Sequence, residues 1–186
     1  MIKCIESKKA NRTYVVVRNA TKHRHELFGF RIFDSKEKTC LYRLRASSRD
    51  IDTVILVDNP TKNMVANLEG IWIDSTFNVT LSVYDYKLNK WIDGVIQRTS
   101  HFWANDYTVE YNNEQLIAKW KLFSTKIKVY HKKQNELLAQ FRPRTRLLLW
   151  RPVKYDLKIY SNKVPDAIYF FLLLIFDHRG LADNIQ

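Results

Sequence analysis

The chain of 186 residues is poor in the residues that punctuate or cross-link, with only four glycines, four prolines and two cysteines. The shortage of glycine and proline leaves no material for a flexible linker or a low-complexity tail. Gly29, Gly70, Gly94 and Gly180 are also too scattered to form a phosphate-cradling loop or a dinucleotide fingerprint. Cys4 and Cys40 can build neither a disulfide framework nor a zinc cluster. Met1-Ile2-Lys3-Cys4 lacks the charged-then-apolar pattern of a secretory leader. A reducing, cytoplasmic setting, peripheral to a membrane at most, is therefore the expectation. In that setting the triplets at Asn11, Asn19 and Asn78 are chance matches to the glycosylation pattern.

Catalytic patterns are equally scarce. No Gly-x-Ser-x-Gly elbow occurs. His23 and His25 have only Glu26 close by and read as a solvated turn rather than metal ligands, while His101, His131 and His178 lack a neighbouring cysteine or paired carboxylate in sequence. Asp52, Asp58, Asp85 and Asp93 read as turn residues. The chain is expected to be no enzyme, with no catalytic residue, no metal site and no cofactor.

What is abundant is apolar side chain and positive charge. Hydrophobic residues make up 46% and aromatics 13%, which excludes a disordered polymer and allows one domain with a real core. Lysine and arginine number 31 against 19 acidic residues, a net charge of +12. Charge of that size attracts polyanions: lipid head groups, nucleic acid or acidic protein.

A strand–turn–strand phrase recurs along the chain. It appears at Phe30–Asp34 with Thr39–Leu44, at Val54–Asp58 with Met64–Leu68, and at Leu81–Asp85 with Lys90–Ile96. Further copies are Tyr107–Tyr111 with Leu116–Trp120, and Ile127–Tyr130 with Leu137–Phe141. Each pairs runs rich in β-branched and aromatic residues around polar turn formers, which predicts antiparallel hairpins. Tyr14–Val17 and Tyr155–Tyr160 read as additional strands, and Lys22–Glu26 as a polar turn. Successive hairpins at even spacing imply a sheet that closes on itself or forms two layers.

One segment breaks the pattern. Pro165-Asp166 precedes ten apolar residues, Ala167 to Phe176, closed by Asp177-His178-Arg179-Gly180. These flanks suit a helix start and a helix end, with His178 placed as a cation at the C-terminal dipole. Fifteen helical residues reach only about 22 Å, short of the ~30 Å hydrocarbon core of a bilayer. With no polar face, such a helix must be surrounded by protein. A closed sheet of many strands supplies that surrounding.

Hairpins followed by an apolar C-terminal helix resemble the tubby C-terminal-like fold, within it the LURP-one-related and phospholipid-scramblase branch. The resemblance covers Leu27 to about His178. It is carried by Phe30–Leu44, by Leu137-Leu138-Ala139-Gln140-Phe141-Arg142 and by Pro165-Asp166-Ala167. It implies a mainly β fold: a closed antiparallel barrel of about twelve strands enclosing the helix. The expected organisation is one domain over 1–186, with a lead at 1–12, strands over 13–163, the helix over 164–179 and a tail at 180–186. Tubby proteins bind phosphoinositide head groups through basic side chains on neighbouring strands. The chain departs from scramblases in lacking a Pro-rich N-terminal region, a Cys-rich segment and acidic residues just before the helix, where Ser161-Asn162-Lys163 stands. Calcium-driven scrambling is not implied.

The candidate lipid-binding residues follow from clustering and alternation. Arg43 and Arg45 share a strand face, as do Lys126 and Lys128, while Arg142, Arg144, Arg146 and Arg151 crowd a short stretch around Leu147–Trp150. Arginine adds bidentate contact to phosphate. That stretch reads either as a membrane contact with Trp150 at head-group depth or as a buried strand, burial being preferred. The expected partner is an anionic lipid or phosphoinositide surface, or an acidic protein; the alternatives are a structural or protein-interaction domain whose basic charge is incidental and scramblase-like lipid transfer in the barrel, and an ordinary solvated basic face is the plainest reading. Interleaved aromatics also suit nucleic acid, but a barrel core requires as many. A monomer with no transmembrane span is expected.

Overall fold

A computed structural model describes residues 9–19, 29–46, 53–71, 77–101, 104–121, 126–144 and 154–182. Twelve strands precede one helix: β1 (Arg12–Arg18), β2 (Phe30–Phe33), β3 (Cys40–Ala46), β4 (Thr53–Asp58), β5 (Met64–Ile71), β6 (Asn78–Asp85), β7 (Lys90–His101), β8 (Ala104–Tyr111), β9 (Glu114–Lys121), β10 (Ile127–His131), β11 (Leu137–Pro143), β12 (Lys154–Ile159) and α1 (Asp166–Ala182). Every strand pairs antiparallel with its neighbour in sequence, and β12 pairs with β1 to close the barrel. No edge strand is left over among them, so the aggregation hazard of an open edge is removed. The architecture is compatible with the tubby-like fold. The phrases at Lys22–Glu26 and Leu147–Trp150 lie outside the described residues.

The turns show how a glycine-poor chain makes hairpins. Positive φ at non-glycine residues occurs at Glu37, Lys62, Asn89, Asn112, Asn113 and Asn135, all in turns between paired strands. Asparagine tolerates this region better than most residues because its short side chain bonds locally. Asn112-Asn113, at φ 46 and 65, meets the two-residue hairpin requirement for positive φ at both central positions. Carboxylates complete the turns: Asp34 accepts from the Lys38 amide at 2.8 Å, Asp58 from the Thr61 amide and hydroxyl, and Asp85 from the amides of Lys87 and Leu88. Asp93 departs from the turn expectation. It sits within β7, exposed, and accepts from the Ser82 hydroxyl at 2.5 Å.

A barrel of twelve strands is too wide for side chains alone to fill, since about eight strands suffice for that. The helix fills it. Ala167 to Asp177 are all buried, and Phe170, Phe171 and Phe176 belong to the same core cluster as Phe30, Leu68, Leu81 and Phe141 from the wall. Among the described residues no helix is long and apolar enough to cross a membrane. The helix extends through Gly180 to Ala182, beyond the expected stop. One glycine costs a helix only about 1 kcal/mol, too little to enforce an end by itself.

Strand β1 tethers this helix at both ends. Arg12, Tyr14, Val16 and Arg18 alternate inward. Near the helix start, Asp166 accepts from the Arg12 guanidinium at 2.7 Å and from the Tyr14 hydroxyl at 2.6 Å. Near its far end, Asp177 pairs with Arg18 at 3.3 Å and accepts from the Tyr155 hydroxyl. The spacings nearly match: six strand residues cover about 20 Å and eleven helical residues about 17 Å.

Candidate anion-binding face

Inside–outside alternation decides which cations are available. On β9, Leu116 and Ala118 point into the core and Lys119 points out; on β10, Val129 is buried and Lys128 is exposed. On β11, Ala139 and Phe141 are buried while Arg142 is exposed, and on β12 Leu157 and Ile159 are buried with Lys158 exposed. The register then aligns them: Lys119 faces Lys128, Lys128 faces Gln140, and Gln140 faces Lys158. At about 4.8 Å between strands, this row crosses about 14 Å of the outer wall. Arg142 lies two residues beyond Gln140 on β11, and Lys126 two residues from Lys128. Among the described residues, Lys119, Lys128, Arg142 and Lys158 take part in no ion pair. Carboxylates stand at the margins, with Asp106 facing Lys119 and Asp156 facing Arg142.

The other expected site residues do not join this group. Arg144 is clasped by carboxylates, donating to Asp156 at 2.8 Å and to Glu37 at 2.9 Å, and Lys154 also reaches Glu37 at 2.8 Å. The hydrogen bond to Asp156 and the charges of both carboxylates hold the Arg144 pKa above its usual value. Glu37 is pulled below its ordinary range, first by the bond from Lys154 and then by Arg144. The β2–β3 turn thereby reaches across β1 to β11 and β12 and occupies the guanidinium. Arg43 and Arg45 point outward on β3, on the far side of β1 and β2. Arg43 faces Arg31 across the β2–β3 ladder and its Nε is buried without a hydrogen bond. Arg31 bonds Asn19 at 3.1 Å and lies 5.8 Å from the centre of the Phe33 ring. Arg146 and Arg151 lie outside the described residues.

Two members of the row, Lys119 and Lys158, escaped sequence reasoning because each stands alone among neighbours of other kinds. The readable signal was alternation, Ala118-Lys119-Trp120 and Leu157-Lys158-Ile159, which places both lysines outside. His131 also differs from expectation: its Nε2 lies 2.8 Å from Glu114 and its Nδ1 accepts from the Gln134 amide at 3.1 Å. That makes it a buried tie between β9 and the β10–β11 turn. Among the described residues, no group of three or more His, Cys, Asp or Glu is placed to hold a metal ion.

Comparison of the chain with protein-family models, with curated proteins and with solved structures finds no match.

Proposed function

We propose that the protein is a non-enzymatic domain that binds an anionic lipid surface, of phosphoinositide type, through the outer face of β9–β12. Lys119, Lys128, Arg142 and Lys158 make the contact, with Lys126 beside them. The observation that carries this reading is the direct facing of Lys119 and Lys128, continued beyond Gln140 by Lys158, none of the three lysines being in an ion pair among the described residues. Like charges opposite one another destabilise a ladder, and an anion seated between them reverses that term. The resemblance to the tubby C-terminal-like fold, whose tubby members bind phosphoinositide head groups, supports the same class of ligand. Lipid passage through the barrel is disfavoured, because Phe170, Phe171 and Phe176 are buried in its interior.

Sedimentation with vesicles is the test. The protein should pellet with phosphatidylserine or phosphoinositide vesicles at low salt, and less as ionic strength rises. Equal pelleting with purely neutral vesicles, or binding indifferent to salt, rejects the proposal.

A further inference from the structure

The barrel end where the helix enters carries a recess of about 250 Å³ that the basic face does not involve. Its floor is apolar: Leu56, Val65 and Val83 from the wall, with Phe170 from the helix. Tyr42 and Asp58, directly paired across β3 and β4, flank one side, and Asp166 of the first helical turn flanks the other. Tyr86, in the β6–β7 turn and 67% exposed, stands at the rim. Its ring is braced edge-on by Tyr84, with centroids 5.0 Å apart and planes at 85°, and Tyr84 is braced in turn by Trp91 at 5.4 Å. Tyr42 is backed by Phe170 at 5.7 Å. A chain of net charge +12 thus contains a small aromatic recess whose charged lining residues are the carboxylates Asp58 and Asp166, with no lysine or arginine.

We propose that this recess binds a small alkylated ammonium group of the choline or tetramethylammonium kind. An aromatic ring face attracts a cation through its quadrupole. An alkylated cation also sheds water more readily than a primary amine, so it suits a floor of valine, leucine and phenylalanine. Two features of the site bear on the sign of the ligand. The helix N-terminus by itself favours an anion, but Asp166 already covers it, and Arg12 lies behind that carboxylate rather than in the recess. Asp58 bonds only the Thr61 amide and hydroxyl and takes part in no ion pair among the described residues, so its charge faces the ligand. Burial, followed by the charges of Asp166 and Asp58, raises the Tyr42 pKa, which keeps the hydroxyl protonated beside the cation. A wider recess of about 600 Å³ shares Tyr42, Tyr84, Tyr86 and Asp166 and gives the entry, where Asp85 and the cations Arg12, Lys87 and Lys163 line its walls.

Titrate the full chain with choline and, separately, with its neutral isostere 3,3-dimethylbutan-1-ol, following Tyr86 and Tyr42 by nuclear magnetic resonance. Choline should saturate the site, and the isostere should bind about tenfold more weakly or not at all. Tyr86→Ala should lose about tenfold in choline affinity and Tyr86→Phe should keep it. Asp58→Asn, which preserves an acceptor for Thr61, should weaken choline and leave the isostere unchanged. Neutral phosphatidylcholine vesicles separate the sources. Retention that Tyr86→Ala abolishes assigns the cation to a lipid head group, whereas choline binding without retention assigns it to a soluble molecule. Equal affinity for choline and the isostere, or no saturable shift at either tyrosine, overturns the proposal. Charge reversal at Lys119 and Lys128 should not change choline affinity, so this site and the basic face can fail separately.

Discussion

Two neighbouring stretches of the barrel's outer wall, β9–β12 and β6–β8, are built by the same alternation and carry different chemistry. Across β9–β12 the outward residues include Lys119, Lys128, Arg142 and Lys158. Across β6–β8 the described outward positions hold Thr80, Ser82, Asp93, Gln97, Thr108 and Glu110 among others, the one exposed cation there being Lys90 at the start of β7. A groove of about 780 Å³ lies over that second stretch, with Lys133 of the β10–β11 turn in its lining; there Asp93 is bonded by Ser82 and Glu110 accepts from Gln115 at 2.9 Å. Carboxylates there are paired with neutral donors inside the sheet. On the neighbouring β9–β10 pair, Lys119 and Lys128 are left facing one another. The lesson is that alternation alone does not fix the charge of a face: the register sets lysine against lysine on β9 and β10 and carboxylate beside neutral donor on β6–β8.

The sharpest way to break this contrast is triple reversal, Lys119→Glu with Lys128→Glu and Lys158→Glu. Each lysine near an anionic membrane contributes about 1 kcal/mol, so removing three costs at least about 3 kcal/mol, or more than a hundredfold in vesicle affinity. Glu110→Lys on the β6–β8 stretch should leave pelleting unchanged. Retained binding in the triple variant would dissolve the distinction between the faces. Next in size is Asp177→Ala, which strips a buried carboxylate from Arg18 and Tyr155 and should cost about 3 kcal/mol in denaturant unfolding. Vesicle affinity of the folded variant should stay constant, since the tether lies inside the barrel. Tyr169→Phe should stabilise the chain by about 1 kcal/mol in the same assay, because its buried hydroxyl has no hydrogen-bond partner among the described residues. The smallest effects belong to the clasp. Arg144→Ala should barely change vesicle binding, its guanidinium being taken by Asp156 and Glu37. The Glu37 contribution to stability should be complete above the usual carboxylate value of 4.5 and fade as pH falls below it, because folding lowers this pKa. Thermal melts of wild type and Glu37→Gln should therefore converge in acid.

Much of the architecture was legible because its signals are local. Period-two alternation marked the strands, and asparagine and aspartate marked the turns between them. An apolar run without a polar face required enclosure, and no other element of the chain competes for that role. The helix end was less legible, since Gly180 near a terminus is a weak stop. The candidate site was half legible: alternation puts Lys126, Lys128, Arg43 and Arg45 on outer faces, yet says nothing of their neighbours.

By itself, then, the amino-acid sequence determined the elements, the face each side chain takes and the need for a closed sheet around the helix. Those properties depend on residues a few positions apart. Only the tertiary structure decided which cations are free. The Lys119–Lys128–Lys158 row depends on the register of four strands, and the loss of Arg144 to Glu37 on a contact spanning 107 residues. The Tyr42–Asp58 and Asp166 recess likewise exists only once the helix stands inside the wall. Such arrangements are set by closure of the whole barrel, which fixes every register together and leaves no trace in any single segment.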